Sequence, residues 1–315
     1  MERELENKKS ITIITAGSTY LDIDAYACMV AMAELLNLQG VNAIAYSKAP
    51  CNYSVCESVA CDSQIATELP VGIAESDADY IIVDVSDPDF LKKSVPLNRV
   101  VKVFDHHVGF EEYWNERIGA GANIEFIGAA ATLIYREWKK SGLQKKMAKS
   151  TARLLIAAIL DNTLNLTSSN TTPEDVSIFN ELCLAAGVDS KWCAAYFSEV
   201  QVKVEEDLKN ALFNDIKNVR NNKVLPSKVA QLCVWDAQSI LGKVSDLRKI
   251  FEDYSDNWMI NIIDIKSHCS YFVCDNGDCQ KKIENIFNVI FNYGIAKTDV
   301  PYLRKEIIKR TEFRT

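Results

Sequence analysis

The sequence predicts an α/β protein with a parallel-sheet N-terminal domain and a smaller α/β C-terminal domain. Three observations carry this. A strand, loop, helix order recurs along the first half of the chain, and alternating β and α units imply a parallel sheet with helices on both faces. The strand candidates around Ile81-Ile82-Val83 and Val100–Phe104 are near-continuous apolar runs, the pattern of strands buried on both sides. The chain has 315 residues, 48% of them hydrophobic, and at roughly 100 to 200 residues per domain this supports about two globular domains.

The first strand is Ser10–Thr15, a short β-branched run, followed by Gly17 and by a small and apolar helical stretch from Asp24 to Leu38. Strand Tyr80–Val83 ends at Asp84, strand Val100–Phe104 ends at Asp105, and a helix spans Ala129–Lys140. A helix over Ser150–Leu160 stops at Asp161 before the polar loop Thr167–Thr172. Thr172-Pro173 reads as an N-cap with proline at the first helical position. Helices continue to about Leu212, and the charged stretch within them places a linker at 196–208, between a first domain of 1–195 and a second of 209–315. In the second domain Lys228–Val234 and Trp258–Ile265 read as strands, and Ser239–Tyr254 and Lys281–Phe291 as helices.

Composition excludes several classes. Lys and Arg total 35 against 43 Asp and Glu, a formal net charge of -8, the wrong sign for a surface that coats nucleic acid, so a phosphate ligand needs a local basic pocket. The N-terminus is charged and lacks the apolar core of a signal peptide, and no run of about 18 uncharged apolar residues occurs. These features predict a soluble cytoplasmic protein. Ten cysteines in a chain of this length, without an export signal, read as reduced thiols. The five-residue spacings of Cys51, Cys56 and Cys61 and of Cys274 and Cys279 do not match zinc knuckles. There are three histidines, and two of them are adjacent, His106-His107.

Carboxylates stand at four separate places: Asp22 and Asp24 in LDID, Asp84, Asp105 before the His pair, and Asp161 in LDNT. Parallel α/β sheets bind ligands beyond the carboxyl ends of their strands. Acids converging there repel one another unless cations sit between them. Oxygen ligands plus one or two imidazoles suit Mn²⁺ or Mg²⁺ better than Zn²⁺ or copper. Taken singly, each Asp is equally a helix cap or turn former, Asp87 before Pro88 above all, and a satisfied polar pair is the lesser reading of the two histidines.

In combination these residues resemble the DHH phosphoesterases, a family named for a triplet like Asp105-His106-His107. The order of Asp22-Ile23-Asp24, Asp84, Asp-His-His and Asp161-Asn162-Thr163, with Ile127–Tyr135 and Asn165–Asp175, is similar to that family over roughly the first 190 residues. Asp215-Ile216-Lys217 and Arg304-Lys305 resemble the C-terminal domain of manganese-dependent family II inorganic pyrophosphatases and related exopolyphosphatases.

The resemblance implies a phosphohydrolase that cleaves pyrophosphate or a short polyphosphate in the cleft between the domains, with water activated by two divalent ions, Mn²⁺ before Mg²⁺. It implies that Asp84 bridges the metals, with Asp22 on the first and Asp24, His106 and Asp161 on the second. Asp105 orients a histidine, His107 faces the substrate, and Lys217, Arg304 and Lys305 bind phosphate. A small phosphate substrate and a homodimer are the implied partners, with neither membrane nor nucleic acid. Where the pyrophosphatases carry a His before the first Asp motif, this chain has Ser18, and Asp84 is followed by Val85-Ser86 rather than His-Asn. Two other readings therefore stand beside the hydrolase: a phosphodiesterase of short oligonucleotides or nucleotides, and a non-catalytic relative that binds phosphorylated ligands.

Overall fold

A computed structural model describes residues 11–17, 20–61, 65–254 and 257–312. The chain divides into two compact units, 1–193 and 194–315. The first unit runs β1 (Thr12–Thr15), α1 (Ile23–Leu38), β2 (Ala43–Ala45), α2 (Glu57–Ala60), β3 (Asp79–Val83), α3 (Pro88–Leu91), β4 (Val100–Asp105), α4 (Glu111–Ile118), β5 (Ala122–Ile124), α5 (Ala130–Ser141), α6 (Lys149–Asn162) and α7 (Pro173–Ala186). Helix α8 (Ser190–Glu206) continues into the second unit. The stretch 196–208, predicted as a connector, is largely helical.

All strands of the first sheet are parallel, in the order β2-β1-β3-β4-β5. The chain steps from β1 to one side and later returns to the other, so the carboxyl ends of β1 and β3 flank a crevice at the point where strand order reverses. Alternate strand residues face opposite ways. Ile13, Tyr80, Ile82 and Val103 pack with Leu91 and Trp114 on one face, and α1, α5 and α6 pack together. Because α1 touches neighbours nearly all round, residues from Ile23 to Leu35 are mostly buried and its apolar pattern has no single stripe.

Helix α5 has no capping side chain of its own, since Ala129 occupies its N-cap. Two buried carboxylates from other helices take that role. Asp175 of α7 accepts from the Gly128 N–H (2.9 Å), Thr132 Oγ1 (2.6 Å), and both the N–H and hydroxyl of Thr172 (2.7 Å each). The Thr172–Asp175 contacts form a capping box with Pro173 at the helix start, as the sequence predicts. A side chain at Gly128 would bring its Cβ within 2.5 Å of Asp175 Oδ2, so only glycine lets the two chains approach this closely.

The second unit runs α9 (Leu208–Asn214), β6 (Ile216–Asn218), β7 (Lys228–Val234), α10 (Gln238–Leu241), α11 (Val244–Ile250), β8 (Trp258–Asp264), β9 (Cys269–Val273), α12 (Gly277–Phe287), β10 (Ile295–Lys297) and α13 (Arg304–Glu312). Its sheet has the order β10-β9-β8-β7-β6 and is mixed: β7 and β8 are parallel, the other pairs antiparallel. The single helix predicted over Ser239–Tyr254 is broken at Gly242. The helix predicted at Lys281–Phe291 starts earlier and stops earlier: Asn276 caps it through the Cys279 N–H, and Asn288 ends it in the left-handed conformation. All ten cysteines are free thiols. Among the described residues no helix is long and apolar enough to cross a membrane.

Replacing Asp175 with Ala strands four donors around a buried site. We expect it to destabilise the first unit by about 3 kcal/mol, read as a lowered denaturation midpoint in urea; a change under about 0.5 kcal/mol contradicts its anchoring role.

Candidate metal centre

The carboxyl ends of β1, β3 and β4 deliver the acids. Asp22 caps α1 by accepting the Ala25 N–H at 2.9 Å. Two residues on, Asp24 points inward and is fully buried. Its carboxylate accepts the first N–H groups of α5, from Ala130 and Ala131, both at 2.8 Å, the Asn162 amide at 3.0 Å and the Cys28 thiol at 3.3 Å. Burial raises the Asp24 pKa, with His106 opposing and Asp22 adding to the rise.

Asp84 follows β3 in the left-handed region, φ +59°, a conformation that Asp tolerates better than most side chains. Its N–H is held by the Phe104 carbonyl at 2.8 Å, and Trp114 Nε1 donates to the Ser86 carbonyl at 2.6 Å. The backbone turn is thus fixed from β4 and α4. Burial first, and then Asp24 and Asp22, push the Asp84 pKa well above the ordinary carboxylate value.

The two histidines face different ways. His106 is buried, with Nδ1 at 3.2 Å from the Ile127 carbonyl. A carbonyl only accepts, so Nδ1 carries the hydrogen and Nε2 presents a lone pair. That lone pair lies 3.4 Å from Asp84 Oδ1 and 4.0 Å from Asp24 Oδ2. Neither His106 Nε2 nor Asp84 Oδ1 has a hydrogen-bond partner, and both are buried. With Asp84 ionised these are two acceptors facing one another across this distance, an arrangement that a cation stabilises. Asp84, His106 and His107 each offer a ligand atom within 4.8 Å of the others. The donor set, carboxylate oxygens with imidazole nitrogen, fits Mn²⁺ or Mg²⁺.

His107 is exposed. Asp105 Oδ1 accepts from its N–H at 3.0 Å and its Nδ1 at 2.9 Å. Desolvation by the surrounding protein works to lower the His107 pKa, but the Asp105 hydrogen bond and the charges of Asp84 and Asp105 together outweigh it, and the net shift is upward. Burial likewise opposes ionisation of Asp105, but hydrogen bonds from His107 and Ser86 and the charge of His107 together outweigh it, so its pKa falls. A cavity of about 410 Å³ opens over this cluster, lined by Asp22, Asp84, Asp87 and His107 on one side and by Tyr20, Val85 and Phe90 among its less polar residues. Asp87 also caps α3 through the Asp89 and Phe90 N–H groups.

Asp161 is placed differently from the expectation that it follows the helix: it lies inside the last turn of α6. It is the next residue, Asn162, whose amide reaches Asp24. Successive residues point about 100° apart on a helix, and residues 154–160 of α6 are all buried, so no apolar stripe identifies which of the two faces the cluster. Beyond α6, Leu164, Asn165 and Leu166 are all left-handed, with φ of +50°, +59° and +64°. The following polar loop folds back through Asn170, whose amide donates to the Gly128 carbonyl at 3.3 Å. Ser18 lies outside the described residues.

In the second unit Arg304 and Lys305 open α13. Arg304 donates through Nη2 to Asp215 Oδ1 at 2.6 Å and through Nη1 to the Asp215 carbonyl. Burial raises the Asp215 pKa, and Arg304 and Lys217 oppose it, so Lys217 and Arg304 converge on this carboxylate. Lys305 is exposed, and the protein around its ammonium lowers its pKa from the ordinary lysine value. Cations in the first turn of a helix oppose its dipole, whereas an anion there is favoured by both dipole and cations.

These features define a two-unit α/β protein with an Asp/His cluster of divalent-metal type at the strand ends. The chain is similar along most of its length to manganese-dependent inorganic pyrophosphatases. It is 25% identical over 299 residues to that of Bacillus subtilis, covering 90% of this chain and 92% of the relative. It is 26% identical over 299 residues, with the same coverage, to a probable one of Bacillus velezensis. No family model matches the chain. Among solved structures, a Methanococcus jannaschii protein assigned to the family II inorganic pyrophosphatases superposes with a TM-score of 0.65 at 19% identity, covering 96% of this chain and 97% of that one. An exopolyphosphatase-related protein of Bacteroides fragilis gives 0.51 at 15% identity, over 96% and 91% of the chains. Both share the fold.

Two expectations follow. The raised Asp84 pKa means that the cation-free folded state holds a proton that the unfolded chain has lost above the ordinary carboxylate value. Its stability therefore falls as pH rises past that value, and a divalent ion replaces the proton. Mn²⁺ affinity should increase with pH when titrated calorimetrically at several pH values; a flat profile contradicts the arrangement. Asn162→Asp should tighten Mn²⁺ binding about tenfold by adding a charge beside Asp24, while Asp161→Asn leaves it within about twofold. The reverse pattern would put Asp161 in the cluster.

Proposed function

We propose that the chain is a divalent-metal-dependent phosphohydrolase that cleaves a phosphoanhydride bond of pyrophosphate or a short polyphosphate. The observation that carries this reading is the pair of unpartnered atoms, Asp84 Oδ1 and His106 Nε2, facing each other at 3.4 Å. The similarity to manganese-dependent pyrophosphatases supports the choice of metal and bond. In this reading two Mn²⁺ ions would be held by Asp22, Asp84, Asp24 and His106 together with the end of α6, at Asp161 or Asn162. When bound, such ions lower the pKa of water toward neutrality and neutralise charge on phosphate oxygens.

The other groups have distinct tasks. Asp105 orients His107 through Nδ1 and sustains its proton, which leaves an exposed imidazolium able to donate to a departing phosphate oxygen. Lys217, Arg304 and Lys305 bind substrate phosphate, Arg304 through its planar fork once an anion displaces Asp215. A second reading, a nucleotide phosphodiesterase, draws on Tyr20, Val85 and Phe90 in the cavity wall, where aromatic rings could stack a base.

Purified protein with Mn²⁺ should release phosphate from pyrophosphate, stop on chelation and recover when Mn²⁺ is restored. Asp84→Ala and His106→Ala should each lower the rate by well over about 100-fold, with circular dichroism unchanged. Activity retained in both variants would remove the proposed site. Preference for a dinucleotide over pyrophosphate would favour the second reading.

A further inference from the structure

The central strands of the second unit carry polar side chains that the sheet itself has no use for. Asn261 of β8 and Ser270 of β9 are fully buried, in strands whose residues are buried throughout. Gln231 of β7 stands beside Asn261 in the parallel register. Asn261 pairs with Phe272 of β9, and Ser270 lies two residues from Phe272, so the three polar side chains share one face of the sheet. Burying an amide or a hydroxyl is costly unless it is hydrogen-bonded, and the partners of these three show what they hold.

All three hold the same piece of chain, the segment that enters α13. Ser270 Oγ accepts the Tyr302 N–H at 2.9 Å. Asn261 Nδ2 donates to the Tyr302 carbonyl at 2.7 Å and to Gln231 Oε1 at 3.3 Å. Gln231 Oε1 also accepts the N–H of Arg304, the first residue of α13, at 2.6 Å. That last bond orients both amides: an N–H needs an acceptor, so Gln231 presents its oxygen to Arg304, and the same oxygen then takes the Asn261 nitrogen. The cost falls on Asn261 Oδ1, which is buried without a hydrogen-bond partner. A buried acceptor left unpaired while its amide holds the chain elsewhere marks a position that the surroundings over-determine.

Arg304 is therefore held at both ends, its backbone N–H by Gln231 and its guanidinium by Asp215. A phosphate that takes the guanidinium from Asp215 leaves the backbone end as the fixed one. We propose that Gln231 is a positioning residue for substrate phosphate: it acts through the Arg304 N–H and fixes the point from which the guanidinium is presented. The inference rests on the proposed phosphate-binding role of Arg304 and not on which bond is cleaved. Without the Gln231 oxygen the start of α13 loses its tie to β7, and the planar fork no longer meets a phosphate at one set angle. A misplacement of about 1 Å at such a group costs up to about 100-fold in rate.

The test is a double-mutant cycle of Gln231→Met, which keeps the length of the side chain and removes the acceptor, with Arg304→Ala. Pyrophosphate is titrated calorimetrically into metal-free protein, its hydrolysis is followed with Mn²⁺, and Mn²⁺ binding is measured for every variant. We expect each single variant to weaken pyrophosphate binding and to lower kcat/KM by about tenfold, and the double variant to stay within about twofold of Arg304→Ala, because a residue that places a guanidinium has nothing to place once it is gone. Mn²⁺ affinity should be the same throughout. A role in folding alone lowers the denaturation midpoint and lets the two losses multiply to about 100-fold; that result, or no effect of Gln231→Met, overturns the positioning role. If Gln231→Met does not fold, Gln231→Asn, which draws the acceptor back by about 1.5 Å, takes its place in the cycle. Arg304→Ala without effect on either readout removes the phosphate-binding role of Arg304 and that of Gln231 with it. The expected cycle in pyrophosphate binding, with no hydrolysis by wild type, keeps the positioning role and removes the hydrolase reading.

Discussion

The first unit depends on where the carboxylate of Asp24 is held. It sits on the N-terminus of α5, taking two N–H groups that no residue of α5 caps, and the positive end of the helix dipole offsets part of the cost of burying a charge there. Asp175 holds the preceding turn from α7, and His106 is oriented by the carbonyl of Ile127 in the same segment. One short stretch, Ile127–Thr132, therefore fixes an acid, an imidazole and the junction of three helices. The geometry of the metal cluster and the packing of the helices are set by the same hydrogen bonds.

That arrangement separates two kinds of acid. Asp24 and Asp175 are each held by several donors, which offset part of the cost of burial, though for Asp24 not all of it. Asp84 is not: one oxygen is buried without a partner, its backbone is left-handed, and its neighbours are acids. Among the described residues nothing in the packing rewards this. Strain and an unpaired buried acceptor persist only where the surroundings over-determine them, and here β4 and α4 do so, through the Phe104 carbonyl and the Trp114 indole. In the proposed reading, stability given up at Asp84 is the counterpart of a preformed cation position, since a cation would meet ligands that need not move.

Much of the fold was legible because it rests on local patterns. The apolar runs at Tyr80–Val83 and Lys228–Val234 and the Thr172-Pro173 start of α7 are strands and a helix start in the structure, since β-branched runs and N-cap chemistry act within a few residues. Strands such as β9 were missed: Cys269–Val273 is central, wholly buried and only five residues long, too short to show a period. In the site, Asp-His-His and the strand-end acids were visible as residue types, but their division of labour was not. That His106 faces inward and His107 outward follows from the Ile127 carbonyl and Asp105, contacts set by tertiary structure. The contact of Asn162 with Asp24 had no signal for a related reason: residues 154–160 of α6 are all buried, so hydrophobicity carries no phase information about its last turn. The capping of α5 by Asp24 spans more than 100 positions and has no local signal at all.

The distribution of charge poses the remaining question, how an acidic chain holds a polyanion. In the proposed reading metal ions would supply positive charge only at the cluster, and basic side chains would be needed wherever else phosphate binds. In the second unit the cationic groups are partly spent, because Arg304 is bound to Asp215. An incoming phosphate has to compete with that carboxylate. The competition is not prohibitive, since burial already raises the Asp215 pKa and makes its charge costly, and the dipole of α13 favours an anion beside Arg304 and Lys305. If Arg304 binds phosphate as proposed, its hold on Asp215 would keep the guanidinium pre-oriented and let weakly charged anions lose to the carboxylate. The same pairing that lowers affinity for any single anion thus raises discrimination in favour of the more highly charged ones.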